Sequence, residues 1–113
     1  MLSVADLDTL LDRYTTMAEA ARANDWERLG ALEREAAGLR EAFRAAAGPE
    51  DAARMTALAP DEAEALRSRI ERILALDAEI RVHADPFLAS VRKLLAGGRQ
   101  ERAVRNAYGA LAP

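Results

Sequence analysis

Residues 60–96 read PDEAEALRSRIERILALDAEIRVHADPFLASVRKLLA, and the architecture follows from how their apolar residues are spaced. Leu66, Ile70, Ile73, Asp77, Ile80, Ala84, Phe87, Val91 and Leu94 succeed one another in alternating steps of four and three, the seam of a helix that packs along its length. The phase continues through Pro86. A proline inside a helix removes one hydrogen bond and usually bends the chain, yet a true break has no reason to preserve the register. The pattern therefore predicts one long helix over 61–96, kinked near Pro86. Pro60 suits the first helical position, and Asp61, Glu62 and Glu64 put negative charge where the helix dipole favours it.

Upstream, Leu7, Leu10, Leu11, Tyr14, Met17, Ala18 and Ala21 recur at helical spacing behind a Ser3–Asp6 capping box, which predicts helix one over 4–23. Asn24 or Asp25 ends it and caps helix two, 25–47, whose face is Trp26, Leu29, Leu32, Ala36, Leu39 and Phe43, until Gly48 and Pro49 stop the pattern. So short a joint folds the two helices into an antiparallel hairpin. Residues 48–60 read as a loop with room for one helical turn. Downstream, Gly97 and Gly98 read as a flexible break, followed by a short helix over 99–111 carrying Val104, Ala107, Tyr108 and Leu111. The expected fold is all-α: one domain over 1–113, with an antiparallel helical hairpin packed on a long, kinked third helix, plus a short C-terminal fourth helix.

Length then leads towards function. At about 1.5 Å per residue the hairpin helices span roughly 30 Å and the third helix about 54 Å, so the third helix overhangs. Ile80, Phe87, Leu88, Val91, Leu94 and Leu95 form an apolar groove of the kind an amphipathic helix occupies, and something must cover its outer part. A helix as short as 99–111 is unstable alone and docks on the nearest apolar surface. It is either a displaceable lid, with Val104, Tyr108 and Leu111 as its contacts and Gly97 and Gly98 as its hinge, or the last element of the core. Trp26, the chain's only tryptophan, falls in the first turn of helix two beside the hairpin bend, where it acts as a structural plug. A partner-binding anchor at the rim is the alternative reading, since tryptophan is enriched at hot spots.

Composition excludes several classes. The 16 basic and 19 acidic residues give a net charge of -3 and no field that would hold a nucleic acid. With no cysteine and a single histidine, His83, neither a zinc site nor thiol chemistry is expected, and no cofactor is implied. The first residues lack a signal-peptide pattern and no run is apolar enough to insert in a membrane, so the expected location is cytoplasmic. Asp77, the one polar residue on the seam, needs an arginine partner or water and serves to fix register. The run LRSRIERILALD, 66–77, has a superficial likeness to all-helical chorismate mutases, but Arg67, Arg69 and Arg72 lie off the seam and do not converge on one pocket. No phosphate loop, carboxylate pair or activated nucleophile is present, so an enzyme is not expected.

The whole pattern resembles the flagellar export chaperone FliT family. The likeness is carried by W-x-x-L-x-x-L-E at Trp26, Leu29, Leu32 and Glu33, by I-L-x-x-D-x-x-I at Ile73, Leu74, Asp77 and Ile80, by P-F-L-x-x-V-x-x-L-L at 86–95 and by the tail with Tyr108. It implies a cytoplasmic chaperone of flagellar type III secretion. Such a chaperone binds the C-terminal segment of the filament-cap protein FliD, prevents its premature assembly and delivers it to the export ATPase complex and export gate. In some members the last helix masks the client surface, and some also bind a flagellar transcription regulator, which nothing in this sequence signals. The tail reaches only Pro113, so a weakly bound lid or a homodimer through helix three or four is expected to hide the overhang. A helical adaptor or coiled-coil scaffold with another protein partner is the alternative.

Overall fold

In a computed structural model residues 2–111 are described, together with their side chains except at positions 103, 104 and 106–111. Four helices follow one another, with no strand among the described residues: α1 Val4–Arg22, α2 Trp26–Ala46, α3 Asp51–Thr56 and α4 Pro60–Leu111. The all-α class expected from the sequence is the class observed.

The hairpin forms where its local chemistry puts it. The Ser3 hydroxyl accepts from the Asp6 N–H at 3.1 Å, and the Asp6 carboxylate accepts from the Ser3 N–H at 3.0 Å, so two otherwise unpaired donors at the start of α1 are satisfied. At the bend Asn24 takes a left-handed backbone with φ 57, a conformation asparagine tolerates better than most residues. Asp25 then caps α2 by accepting from the Arg28 N–H at 3.3 Å.

α1 is the central helix and packs against both α2 and α4. It buries Leu7, Leu10, Tyr14, Met17, Ala18, Ala20 and Ala21, against Leu29 and Ala36 of α2 and Leu66, Ile73 and Ile80 of α4. The alanines, with Ala18 and Ala21 fully enclosed, bring the helix axes close together. Ion pairs set the alignment: Arg69 to Asp8 at 2.7 Å and Arg22 to Glu79 join α4 to α1, and Arg13 to Glu35 at 3.2 Å joins α1 to α2. All involve exposed groups, so they select the register more than they add stability. The buried Tyr14 hydroxyl accepts from Arg40, whose other nitrogen reaches Glu33 at 2.8 Å. Burial pushes the Tyr14 phenol up, against the opposing pull of the Arg40 charge.

The 52 residues of α4 span about 78 Å at about 1.5 Å per residue, and this helix is the long axis of a slab measuring 78 × 33 × 17 Å. The register that continues through Pro86 in the sequence is matched by a helix that also continues through it. The carbonyl that loses its donor belongs to Val82, whose side chain is 71% exposed, so water reaches that face and lowers the cost.

Two expectations are corrected. Residues 99–111 are not a separate fourth helix behind a break, because α4 runs without interruption through Gly97 and Gly98. Two glycines cost a helix about 2 kcal/mol relative to alanine, whereas a new helix after a break needs a fresh nucleus costing about 4 kcal/mol. Leu94, Leu95 and Ala96 on one side and Arg99, Gln100, Glu101 and Arg102 on the other are also strong helix formers. The connection read as a loop contains α3, a six-residue helix. It is closed at its start by the Asp51 carboxylate accepting from the Gly48 N–H at 3.0 Å, and it buries no residue.

Candidate binding groove

The seam of α4 can be followed at seven-residue steps. Leu66, Ile73 and Ile80 are 6%, 8% and 6% exposed, then Phe87 is 37% and Leu94 76% exposed. The same apolar face that is sealed under α1 therefore begins to open at Phe87, one heptad after the last core residue, and is bare at Leu94. Leu88 and Leu95 are exposed beside it, and Val91 is half-buried.

At the point of emergence a furrow of about 390 Å³ lies between α2 and α4, near the small end of the range for ligand sites. Its apolar lining is Met17 from α1, Trp26 and Leu29 from α2, and Ile80, Ala84, Phe87 and Leu88 from α4. Trp26 and Phe87 stack with ring centroids 4.4 Å apart and planes inclined by 12°, which joins the first turn of α2 to the emerging seam. Gly30 also lines the furrow, and the charged groups on it are Glu33, Asp77, Arg81 and Asp85.

The charged groups are partly neutralised. Asp77 is bound by Arg81 at 3.0 Å and keeps a third of its side-chain surface in solvent. The arginine partner and the solvent access that a polar residue on the seam needs are thus both present. Glu33 is held by Arg40, while Asp85 has no ion pair among the described residues. Arg67 is occupied by Glu64 at 2.6 Å and Glu71 at 3.2 Å, and Arg69 by Asp8. These guanidiniums point to separate carboxylates and form no shared anion pocket. Among the described residues no cluster of three metal-ligating side chains occurs, and no helix is long and apolar enough to cross a membrane.

The groove residues expected from sequence divide into two groups. Ile80, Phe87 and Leu88 meet in the furrow, with Ile80 as its buried floor, while Leu94 and Leu95 lie farther along the bare helix. Leu94 flanks a shallow depression with Ser90, Lys93, Gly97, Gly98 and Glu101. Gly97 and Gly98 belong to the continuous helix, so the expected hinge is not a break in this conformation. Val104, Tyr108 and Leu111, the expected lid contacts, lie outside the residues whose side chains are described. Trp26 is half-buried, packs against the core and lines the furrow. Sequence reasoning missed Met17, Leu29, Gly30, Glu33, Arg81, Ala84 and Asp85 as furrow residues. A glycine in the middle of an otherwise strong helix was the signal available for Gly30.

A family model described as flagellar protein FliT matches residues 4–110. No curated protein and no solved structure matches the chain. The family match spans the hairpin, the connection and nearly all of α4, and the chain belongs to the FliT family of flagellar export chaperones.

Proposed function

We propose that this protein is a cytoplasmic, non-enzymatic chaperone that holds the C-terminal segment of the filament-cap protein FliD, prevents its early assembly and delivers it to the export ATPase complex and export gate. The observation that carries the reading is the seam of α4, sealed as far as Ile80, partly open at Phe87 and bare at Leu94, next to an open furrow on the same face. A client helix laid along this face buries Phe87, Leu88, Val91, Leu94 and Leu95 in the helix-in-groove mode. Ordering a disordered client consumes part of the gain, so affinity is on the order of micromolar.

The tail beyond Gly98 acts as a regulatory lid in this reading. No packing requires glycine at 97 or 98, since a Cβ at either position meets nothing within 4 Å. Two adjacent glycines make this a weak point of α4, where the helix opens and Val104, Tyr108 and Leu111 fold back over the groove. The extended helix is then the receptive conformation. A second copy of the chain is the competing occupant, and it is recognised by client affinity that falls as protein concentration rises. Calorimetric titration with the cap protein's C-terminal segment tests the proposal: saturable binding supports it, and no heat from a folded protein refutes it.

A further inference from the structure

Gly30 occupies the interior of α2, where glycine is the most costly residue after proline. Neither the backbone nor the packing calls for it. Its φ is not positive, and an added Cβ would meet only the end of the Arg34 side chain, at 3.7 Å. Gly30 does, however, line the furrow beside Met17, Trp26 and Phe87, so the missing side chain leaves room there that is bordered only by the tip of the flexible Arg34 side chain.

The rim beside that room is acidic. Glu33, Asp77 and Asp85 face the furrow with one lining cation, Arg81, and the flexible Arg34 guanidinium lies at the Gly30 edge. Asp77 is already bound to Arg81 and Glu33 to Arg40, which leaves Asp85, exposed and with no ion pair among the described residues, as the carboxylate open to an incoming charge. An occupant whose apolar side chain enters over Gly30 brings its neighbouring residues against this rim. A cation there gains a partner, and an anion meets uncompensated negative charge.

We propose that the furrow reads its client in two parts: the space over Gly30 admits one apolar anchor side chain, and Asp85, supported by Asp77 and Glu33, selects a client with lysine or arginine about one helical turn from that anchor. This rests on the export-chaperone reading of the same face and specifies the client chemistry it takes.

The test uses the full chain and two kinds of probe. One is the C-terminal segment of the filament-cap protein. The other is a set of three synthetic amphipathic helical peptides, identical except for lysine, glutamine or glutamate one turn from the leucine anchor. Lysine binds tightest and glutamate weakest, each step being about two- to fivefold, as for exposed ion pairs. Asp85→Asn abolishes the step between lysine and glutamine. Gly30→Ala raises the melting temperature and weakens the lysine peptide by about fivefold or more, because the added methyl occupies the anchor's space. Gly38→Ala, a second open glycine of α2 outside the furrow, raises the melting temperature and leaves binding unchanged.

Equal affinity for the three peptides, no binding of any of them, or undiminished binding by Gly30→Ala overturns the inference. The two readings fail separately. Ordered peptide affinities without binding of the cap segment sink the chaperone reading and leave the furrow's selectivity standing. Cap-segment binding combined with equal peptide affinities does the reverse.

Discussion

Truncating Ile80, Phe87 and Leu94 to alanine one at a time separates the part of α4 that holds the fold from the part left for a partner. The three lie at seven-residue steps on one face and are 6%, 37% and 76% exposed. Ile80→Ala removes a sealed core side chain and costs about 2 to 5 kcal/mol. Phe87→Ala removes a ring buried over roughly two-thirds of its surface, so the usual cost of about 3 to 5 kcal/mol scales to about 2 to 3. Leu94→Ala has only about a quarter of its surface to lose and costs about 0.5 to 1 kcal/mol. Urea denaturation followed by far-ultraviolet circular dichroism measures the series, and titration with the cap segment measures affinity. Stability losses fall in the order Ile80, Phe87, Leu94, while Phe87→Ala and Leu94→Ala each weaken the client by about tenfold or more, as anchor residues do. Leu94→Ala as destabilising as Ile80→Ala would refute the reasoning, because it would mean that the outer seam is already packed in the free protein.

Three further outcomes follow from particular contacts. Trp26→Ala removes the stack on Phe87 and one wall of the furrow, so it lowers the melting temperature and also weakens the client; a stability loss with unchanged affinity would make Trp26 a plug alone. Gly97→Ala with Gly98→Ala stiffens α4 by about 1 kcal/mol per site and tightens client binding if folding back of the tail competes with the client; weaker binding would place the tail in the site. Glu79, whose carboxyl is held below its usual range chiefly by the hydrogen bond from Arg22, favours the folded state above the ordinary carboxylate value, and that contribution disappears as pH falls through its lowered folded-state value. Melting of Glu79→Gln is therefore less sensitive to acid than wild type, and identical acid sensitivity would show that the pair contributes nothing.

The fold was legible in the sequence where spacing alone dictates structure. Ser3 with Asp6, the Asn24–Asp25 bend, Pro60 at a helix start and the heptad steps from Leu66 to Leu94 are local or periodic signals, and each corresponds to a feature of the structure. Gly97 and Gly98 misled because a glycine pair reports a low propensity, not a break, and the outcome depended on weighing two glycines against the larger cost of a new helix. Periodicity also said which face of α4 is apolar without saying where α1 stops covering it. Leu66 and Leu94 look alike in the seam, and only the packed structure distinguishes 6% from 76% exposure. The furrow was least legible, since Met17, Gly30 and Asp85 come from three helices and meet only through tertiary packing.

The most direct test of the central claim is calorimetric titration of the cap protein's C-terminal segment into the full-length wild type and into Leu94→Ala at a temperature where both are folded. Saturable binding at about micromolar affinity by the wild type, reduced by about tenfold in a variant of nearly unchanged melting temperature, is the result expected of an uncovered seam that serves a client. Equal affinity of the two proteins, or no heat from either, would contradict it.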